Sequence, residues 1–237
     1  MTINKKRYLI FFFSYPSLKD LFIFFNDFKT LLNDFNDYEA LSTSLKQALA
    51  YDLAFFTQNL NIIKEWLYSK EFKQNYQDKN HPYPSLLNPN KIDYENIPAE
   101  LAWEMNLPLP RRYEFLLMRG HGSGGTAMMS FLGKCKVKLA EAYYRHLPKN
   151  TYFKTYNFLL KNPNTINFIC IAQYDGIGWI DNNGYARNKI FALTNKKVPI
   201  LFQVRDPIGH IKHGRGRIWG KLKKLGKLLF VLTIKIF

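Results

Sequence analysis

Acidic residues are scarce in the second half of this 237-residue chain, where only Asp175, Asp181 and Asp206 follow residue 141. Residues 142–237 also contain 17 Lys and Arg residues and carry a net charge of +14, whereas residues 1–141 carry only +2. This imbalance favours an anionic partner: nucleic acid, an anionic membrane surface, or a phosphorylated or sulfated ligand. The alternative is a basic surface without a specific partner.

Cysteine is scarce as well, since Cys135 and Cys170 are the only two, and their spacing is neither a disulfide framework nor a metal motif. We therefore expect a reducing, cytoplasmic setting and no metal. Long hydrophobic runs are also missing. The N-terminal apolar run, Tyr8 to Phe13, predicts a first strand or the start of a helix rather than a signal peptide, and no segment has the length of a transmembrane helix.

Glycine and proline are absent between Leu18 and Tyr76, where leucine and phenylalanine recur at steps of three and four residues. This pattern predicts an N-terminal helical region, residues 1–80, built as a helical hairpin or small bundle. Residues 81–112 are rich in proline and asparagine, which favour turns, and are predicted to be a linker.

Apolar runs and helical patterns alternate in residues 113–214. The runs predict strands at 113–118, 165–172 and 198–204, a further short strand in "KVKLA", and helices at 126–132, 151–160 and 184–196. The expected fold is α/β, a parallel sheet with flanking helices that forms a domain like those that bind nucleotides. Ligands of such sheets bind beyond the carboxyl ends of the strands.

Two segments follow predicted strands at that edge: a glycine-rich turn after Met118, and "RDPIGHIKH" after Val204. A strand, a glycine turn and a helix start direct backbone N–H groups towards one point, which is an arrangement that binds phosphate. Cationic and hydroxyl side chains of the turn add further donors. The predicted phosphate-binding residues are Arg119, Gly120, His121, Gly122, Ser123, Gly124, Gly125 and Thr126. A tight turn without a ligand is the alternative, although one glycine would suffice for it.

Two other interpretations of the turn remain open. Gly120, Gly122 and Gly125 match G-x-G-x-x-G, and Glu141 follows at about the spacing of a dinucleotide-binding fingerprint. Alternatively, Ser123 is the nucleophile of a serine hydrolase, with Asp206 and His210 in the matching chain order.

A third interpretation comes from "GSGGTAMMSFL" and "VPILFQVRDPIGHIKH", which together resemble the sulfotransferase family. That family has a strand, a P-loop-like turn of the form [RK]-S-G-T-T, a helix, and a later strand that ends in R-[DN]-P. Ser123, Gly124 and Thr126 match the first motif, and Arg205, Asp206 and Pro207 match the second. The resemblance implies a P-loop sulfotransferase-like fold.

The resemblance also implies 3′-phosphoadenylyl sulfate as the donor, with its 3′-phosphate held by Arg205 and by the position eight residues later. His213 occupies that position here, with Lys212 beside it, in place of the family's serine. Gly122 replaces the family's basic residue before the serine, and Arg119 or His121 is expected to substitute for it. Sulfotransferases need no metal.

The chain also resembles an uncharacterised bacterial family encoded near surface-glycan genes, in which "HGSGGT…FL" and "VRDPI" recur and some members are labelled sugar transferases. The two resemblances imply a transferase that acts on a surface glycan. Sulfuryl transfer to a sugar hydroxyl is the first hypothesis, and sugar transfer from a nucleotide-sugar is the alternative. The candidate bases are Asp175, Asp181 and His146, and Trp179 is a candidate platform for a sugar ring. A Gly/Asn turn with a buried tryptophan is the simpler account of residues 173–184.

The basic tail, residues 215–237, places Ile218, Trp219, Leu222, Leu225 and Leu229 on one helical face with lysines opposite. This pattern suits an amphipathic helix at an anionic membrane, which would make the protein peripheral to the inner face of the membrane. A terminal helix packed on the core is the alternative. Nucleic acid is not favoured, because no recognised nucleic-acid motif is present.

If the basic tail binds membranes, deletion of residues 215–237 abolishes binding to anionic vesicles, whereas Arg205→Ala leaves it intact. Co-sedimentation with vesicles of anionic and of neutral lipid measures both variants. Vesicle binding that survives the deletion contradicts this role for the tail.

Overall fold

The computed structural model describes residues 17–120, 122–142, 148–172, 186–194, 197–206 and 208–209. The predicted apolar start at Tyr8–Phe13 and the basic tail lie outside these ranges. Within the described ranges, no helix is both long enough and apolar enough to cross a bilayer.

The predicted N-terminal helices are present. They are α1 (Leu18–Asp34), α2 (Glu39–Tyr51), α3 (Leu53–Leu67) and α4 (Lys70–Phe72), which continues as a π-helical turn over Lys73–Gln77. A capping box begins α1, because the Ser17 hydroxyl accepts from the Asp20 N–H and the Asp20 carboxylate accepts from the Ser17 N–H. Phe28 of α1 packs edge to face on Phe56 of α3, with 5.7 Å between ring centroids.

Residues 81–112, which their composition predicts to be a linker, are packed into the protein. They contain a 3₁₀ turn (Tyr94–Asn96) and the short helix α5 (Ala99–Glu104). Leu86, Leu87 and Leu107 are fully buried in the hydrophobic cluster that also contains the N-terminal helices. Proline and asparagine here mark irregular backbone, and the leucines between them determine burial.

Side chains from both neighbouring regions donate hydrogen bonds to backbone carbonyls of this segment. The bonds run from Tyr38 to His81 (2.7 Å), Trp66 to Ser85 (2.8 Å), Tyr152 to Leu107 (2.7 Å) and Tyr156 to Ile97 (3.0 Å). Burial raises the pKa of the Tyr38, Tyr152 and Tyr156 hydroxyls far above the usual value, so these groups stay protonated and act as donors.

The remaining elements form the predicted α/β arrangement with an all-parallel sheet. The strands are β1 (Phe115–Arg119), β2 (Lys138–Ala142), β3 (Asn167–Ala172) and β4 (Ile200–Gln203), in the spatial order β2-β3-β1-β4. The helices between them are α6 (Gly125–Lys134), α7 (Pro148–Lys161) and α8 (Ala186–Leu193). The expected strand in "KVKLA" is β2.

Helices cover both faces of this sheet. Leu117 and Cys170 belong to a small cluster that includes Met128 and Leu132 of α6. The alternate residues of the same strands, such as Leu116, join the large core with α7 and α8. The chain moves from β1 to β2 in one direction across the sheet and then returns to β3 and β4 in the other. Right-handed crossovers therefore place α6 opposite α7 and α8.

Lys189 of α8 is buried against α5, in the segment 81–112. It is 8% exposed, and its Nζ lies 4.4 Å from the centroid of the Trp103 ring. Burial lowers the pKa of Lys189 to about 8, and the charge of Glu104, which pairs with Lys149 at 2.7 Å, opposes this shift only in part. Because the unfolded chain binds this proton more tightly, charged Lys189 destabilises the fold at and below about pH 8.

We expect Lys189→Met to raise the free energy of unfolding at pH 7 by about 1–2 kcal/mol, since it removes the desolvation of the amine and loses a weaker cation–π contact. The gain should shrink from pH 8 to pH 10, where the folded wild-type protein releases the proton and its own stability rises. Urea unfolding at several pH values tests this, with the exposed Lys161→Met as the matched control. A loss of stability that does not change with pH would contradict the prediction.

Candidate functional site

The glycine turn lies at the carboxyl end of the inner strand β1, beside the ends of β3 and β4. β1 ends at Arg119 and α6 begins at Gly125. Gly122 (φ 76°) and Gly124 (φ 91°) both have left-handed backbone, in which a side chain is strained. The turn itself therefore requires glycine at these two positions.

The N-terminus of α6 has no side-chain cap, because its N-cap residue is Gly124. Ser123 is 8% exposed, and its hydroxyl donates to the carbonyl of Gly120 at 3.0 Å, so its proton is used within the turn. Thr126 is exposed in the first turn of the helix. Uncapped N–H groups and the positive end of the helix dipole attract an anion to this point.

Arg119 lies on the same face of the sheet as α6. Its side chain passes so close to Gly125 that a β-carbon there would overlap it. The guanidinium also interacts with the thiol of Cys170 on β3, where burial raises the thiol pKa and Arg119 partly opposes this shift. Position 125 must therefore be glycine, because the Arg119 side chain occupies the space that a β-carbon would need. The same side chain places a positive charge against the first turn of α6.

Arg205 follows β4, the neighbour of β1, and reaches the turn from that side. Its Nη1 donates to the carbonyl of Gly122 at 3.3 Å, and the residue is exposed. Asp206 has a local role, since its carboxylate accepts from the backbone N–H of Gly209 at 2.6 Å. The structure thus brings together the two segments on which the sulfotransferase resemblance rests.

Gln203 is a site residue that the sequence interpretation missed. It is in register with Arg119 across the β1–β4 pair, and its Nε2 lies 3.6 Å from the position of a β-carbon on Gly124. Among the described residues, its Oε1 is buried without a hydrogen-bond partner. Only the strand register reveals Gln203, because a glutamine within an apolar run carries no motif.

The other predicted site residues lie outside the described residues. They are His121, Lys212 and His213 of the phosphate site, the candidate bases Asp175, Asp181 and His146, and also Pro207, Trp179 and His210. Within the described part of the chain, no group of His, Cys, Asp and Glu side chains could hold a metal ion.

The strand order argues against the dinucleotide fingerprint. Glu141 lies on β2, and β3 separates β2 from the strand that leads into the glycine turn. In the dinucleotide-binding fold, the strand with the acidic residue is the direct neighbour of the first strand. The hydrolase interpretation is disfavoured as well, because the Ser123 hydroxyl points into the turn and Asp206 caps a backbone N–H.

Comparison of the chain with protein-family models, with curated proteins and with solved structures gave no match.

Gly125→Ala tests the packing of the site. We expect it to displace Arg119 and to lower the free energy of unfolding by about 1–3 kcal/mol, as overpacking does. The matched control is Gly133→Ala in the same helix, where the new methyl group meets no atom within 4 Å. This control should stabilise the protein by up to about 1 kcal/mol through helix propensity. Equal effects of the two variants in urea unfolding would show that Arg119 does not constrain position 125.

Proposed function

We propose that this protein is a transferase that binds a nucleotide donor at the Gly120–Thr126 turn and transfers a sulfuryl group to a sugar hydroxyl of a surface glycan. The hydrogen bond from Arg205 to Gly122 is the observation that carries the proposal, because it joins two motifs that lie 83 residues apart in the chain. Both motifs follow neighbouring parallel strands, at the edge where such sheets bind ligands.

The electrostatics of the site favour a phosphorylated donor. The uncapped start of α6 offers backbone N–H groups, Arg205 offers an exposed guanidinium, and Arg119 holds a further positive charge nearby. The net charge of +14 on residues 142–237 adds a field that attracts anions over a longer range.

The proposed reaction needs positioning and charge neutralisation rather than a covalent intermediate on the protein. The acceptor oxygen forms a new bond to sulfur, and its proton passes to a base. The bond between sulfur and the bridging oxygen of the donor breaks, and the electron pair stays on that oxygen. The products are a sugar sulfate and adenosine 3′,5′-bisphosphate, whose 5′-phosphate carries the new charge beside the turn.

The candidate bases follow two strands of the sheet in the sequence. Ala172, the last residue of β3, pairs with Arg119, and Asp175 and Asp181 come three and nine residues after it in the chain. His146 comes four residues after the end of β2, which lies one strand further from β1. All three lie outside the described residues, so Asp175, Asp181 and His146 stay the candidate bases.

A sugar transferase that uses a nucleotide-sugar is the second candidate, because the same turn and arginines suit the diphosphate of that donor. A membrane-associated role through the basic tail is compatible with either activity. Binding of adenosine 3′,5′-bisphosphate, which is the product of the proposed sulfuryl transfer, distinguishes the first candidate from the second.

We expect adenosine 3′,5′-bisphosphate to raise the melting temperature, and NAD and a nucleotide-sugar to leave it unchanged. Thermal shift measures this on the wild type and on Gly133→Ala, which should respond alike, and on Gly125→Ala, which should respond less. Stabilisation by the nucleotide-sugar alone would favour sugar transfer. Stabilisation by NAD would restore the fingerprint hypothesis, and no stabilisation by any of the three would refute nucleotide binding at the turn.

A further inference from the structure

We propose that the amino ends of β2 and β3 carry a surface that docks on an anionic phospholipid membrane. Two exposed apolar side chains and four exposed lysines form this amino-end patch: Phe131, Ile166, Lys134, Lys136, Lys138 and Lys161. The patch lies at the opposite end of the sheet from the glycine turn, so it is a separate surface from the proposed donor site and does not depend on the proposed function.

Hydrogen bonds bring the patch together from separate segments of the chain. The Lys138 N–H donates to the carbonyl of Ile166 at 2.8 Å, which joins the start of β2 to the start of β3. The Lys138 Nζ donates to the Oδ1 of Asn162 at 3.0 Å, and Asn162 directly follows Lys161 at the end of α7. The last turn of α6 leads into β2 through residues 135–137. The patch residues therefore share one end of the α/β region.

Lys136 occupies a backbone position at which helices usually place glycine. Helix α6 ends in a Schellman motif, in which the Lys136 N–H donates to the carbonyl of Gly133 at 3.0 Å and the Val137 N–H donates to the carbonyl of Leu132 at 3.1 Å. Lys136 is the left-handed residue of this motif, with a φ of 61°, which strains a residue that has a β-carbon. This lysine costs stability, so the fold itself does not account for its presence.

The charge of the patch is positive. Among the described residues, no carboxylate forms an ion pair with any of the four lysines. Glu141 is the only acidic residue between positions 115 and 174, and it lies near the other end of β2. Glu114, which is exposed just before β1 at this end of the sheet, offsets one of the four charges. The patch therefore attracts an anionic partner.

The two apolar side chains indicate which anionic partner fits best. Phe131 is 64% exposed and Ile166 is 56% exposed. A phospholipid surface accommodates both features of the patch, because lysines pair with anionic headgroups while apolar side chains enter the acyl boundary. Single-stranded nucleic acid is bound by aromatic platforms on which bases stack, and the aliphatic Ile166 offers no such platform. The combination therefore favours an anionic membrane.

Docking through this patch leaves the glycine turn accessible. Strand β1 has five residues, so it separates the amino end of the sheet from the turn by about 16 Å. A soluble donor can then reach the turn while the protein stays on the membrane surface.

Co-sedimentation of the full chain with vesicles tests the patch. Vesicles of phosphatidylcholine alone are compared with vesicles of equal parts phosphatidylcholine and phosphatidylglycerol, and the wild type should bind only the anionic ones. We expect Lys136→Gly to weaken this binding about fivefold, the contribution of one lysine, and to raise the melting temperature because glycine relieves the left-handed backbone. Phe131→Ser should weaken binding about tenfold. Weaker binding by a more stable protein cannot result from misfolding.

The matched pair is Lys136→Gln, which should also weaken binding about fivefold, and Lys46→Gln, an exposed lysine of α2, which should leave binding unchanged. Equal effects of these two variants, or full binding by both Lys136→Gly and Phe131→Ser, would overturn the inference. A wild type that does not bind anionic vesicles would overturn it as well.

Two further outcomes identify the partner and separate the patch from the basic tail. Patch-dependent binding of a single-stranded RNA oligonucleotide without vesicle binding would assign the patch to nucleic acid and refute the membrane. Loss of vesicle binding on deletion of residues 215–237 alone, with the patch variants unaffected, would place the whole interaction in the tail and overturn the inference. Losses from both changes support it, since two weak attachments of one chain reinforce each other.

Discussion

The fold depends on satisfying the backbone of an irregular segment that is buried. Residues 81–112 lie between the N-terminal helices and the sheet, and buried backbone carbonyls must find donors. Phenol and indole groups supply them, Tyr38 and Trp66 from the N-terminal helices and Tyr152 and Tyr156 from α7. These bonds attach both halves of the protein to one segment and explain why large aromatic residues with a polar atom are used there.

The site is a consequence of the strand order. Because β3 and β4 flank β1, the residues that follow β1 and β4 meet, although they are far apart in the chain. Helix α6 starts on one face, whereas α7 and α8 lie on the other, so the turn opens at the edge of the sheet where the direction of the crossovers reverses. Arginines approach this point from two strands, Arg119 against the helix start and Arg205 against the carbonyl of Gly122.

Much of the second half could be predicted from the sequence, because continuous apolar runs identify buried parallel strands. The predicted strand 198–204 contains β4, and the predicted helix 151–160 lies within α7. Composition predicted the irregular backbone of 81–112 but not its packing, since proline and asparagine indicate turns, and the leucines between them determine burial. A motif does not show the direction in which a side chain points. The sequence therefore predicted neither the hydrogen bond from the Ser123 hydroxyl within the turn nor the position of Gln203 beside Arg119. The reaction and the donor remain proposals.

If the proposed anion binds at the turn, the outer position of β4 ties its affinity to local stability. In the described part of the chain, β4 pairs only with β1, and its apolar side chains Ile200, Leu201 and Phe202 are exposed. Little burial opposes a local opening of this strand, and an opening would carry Arg205 away from the turn. The apparent dissociation constant of an anion is then the intrinsic constant divided by the closed fraction. Changes that only loosen the β4 edge would weaken binding without altering any group that touches the ligand.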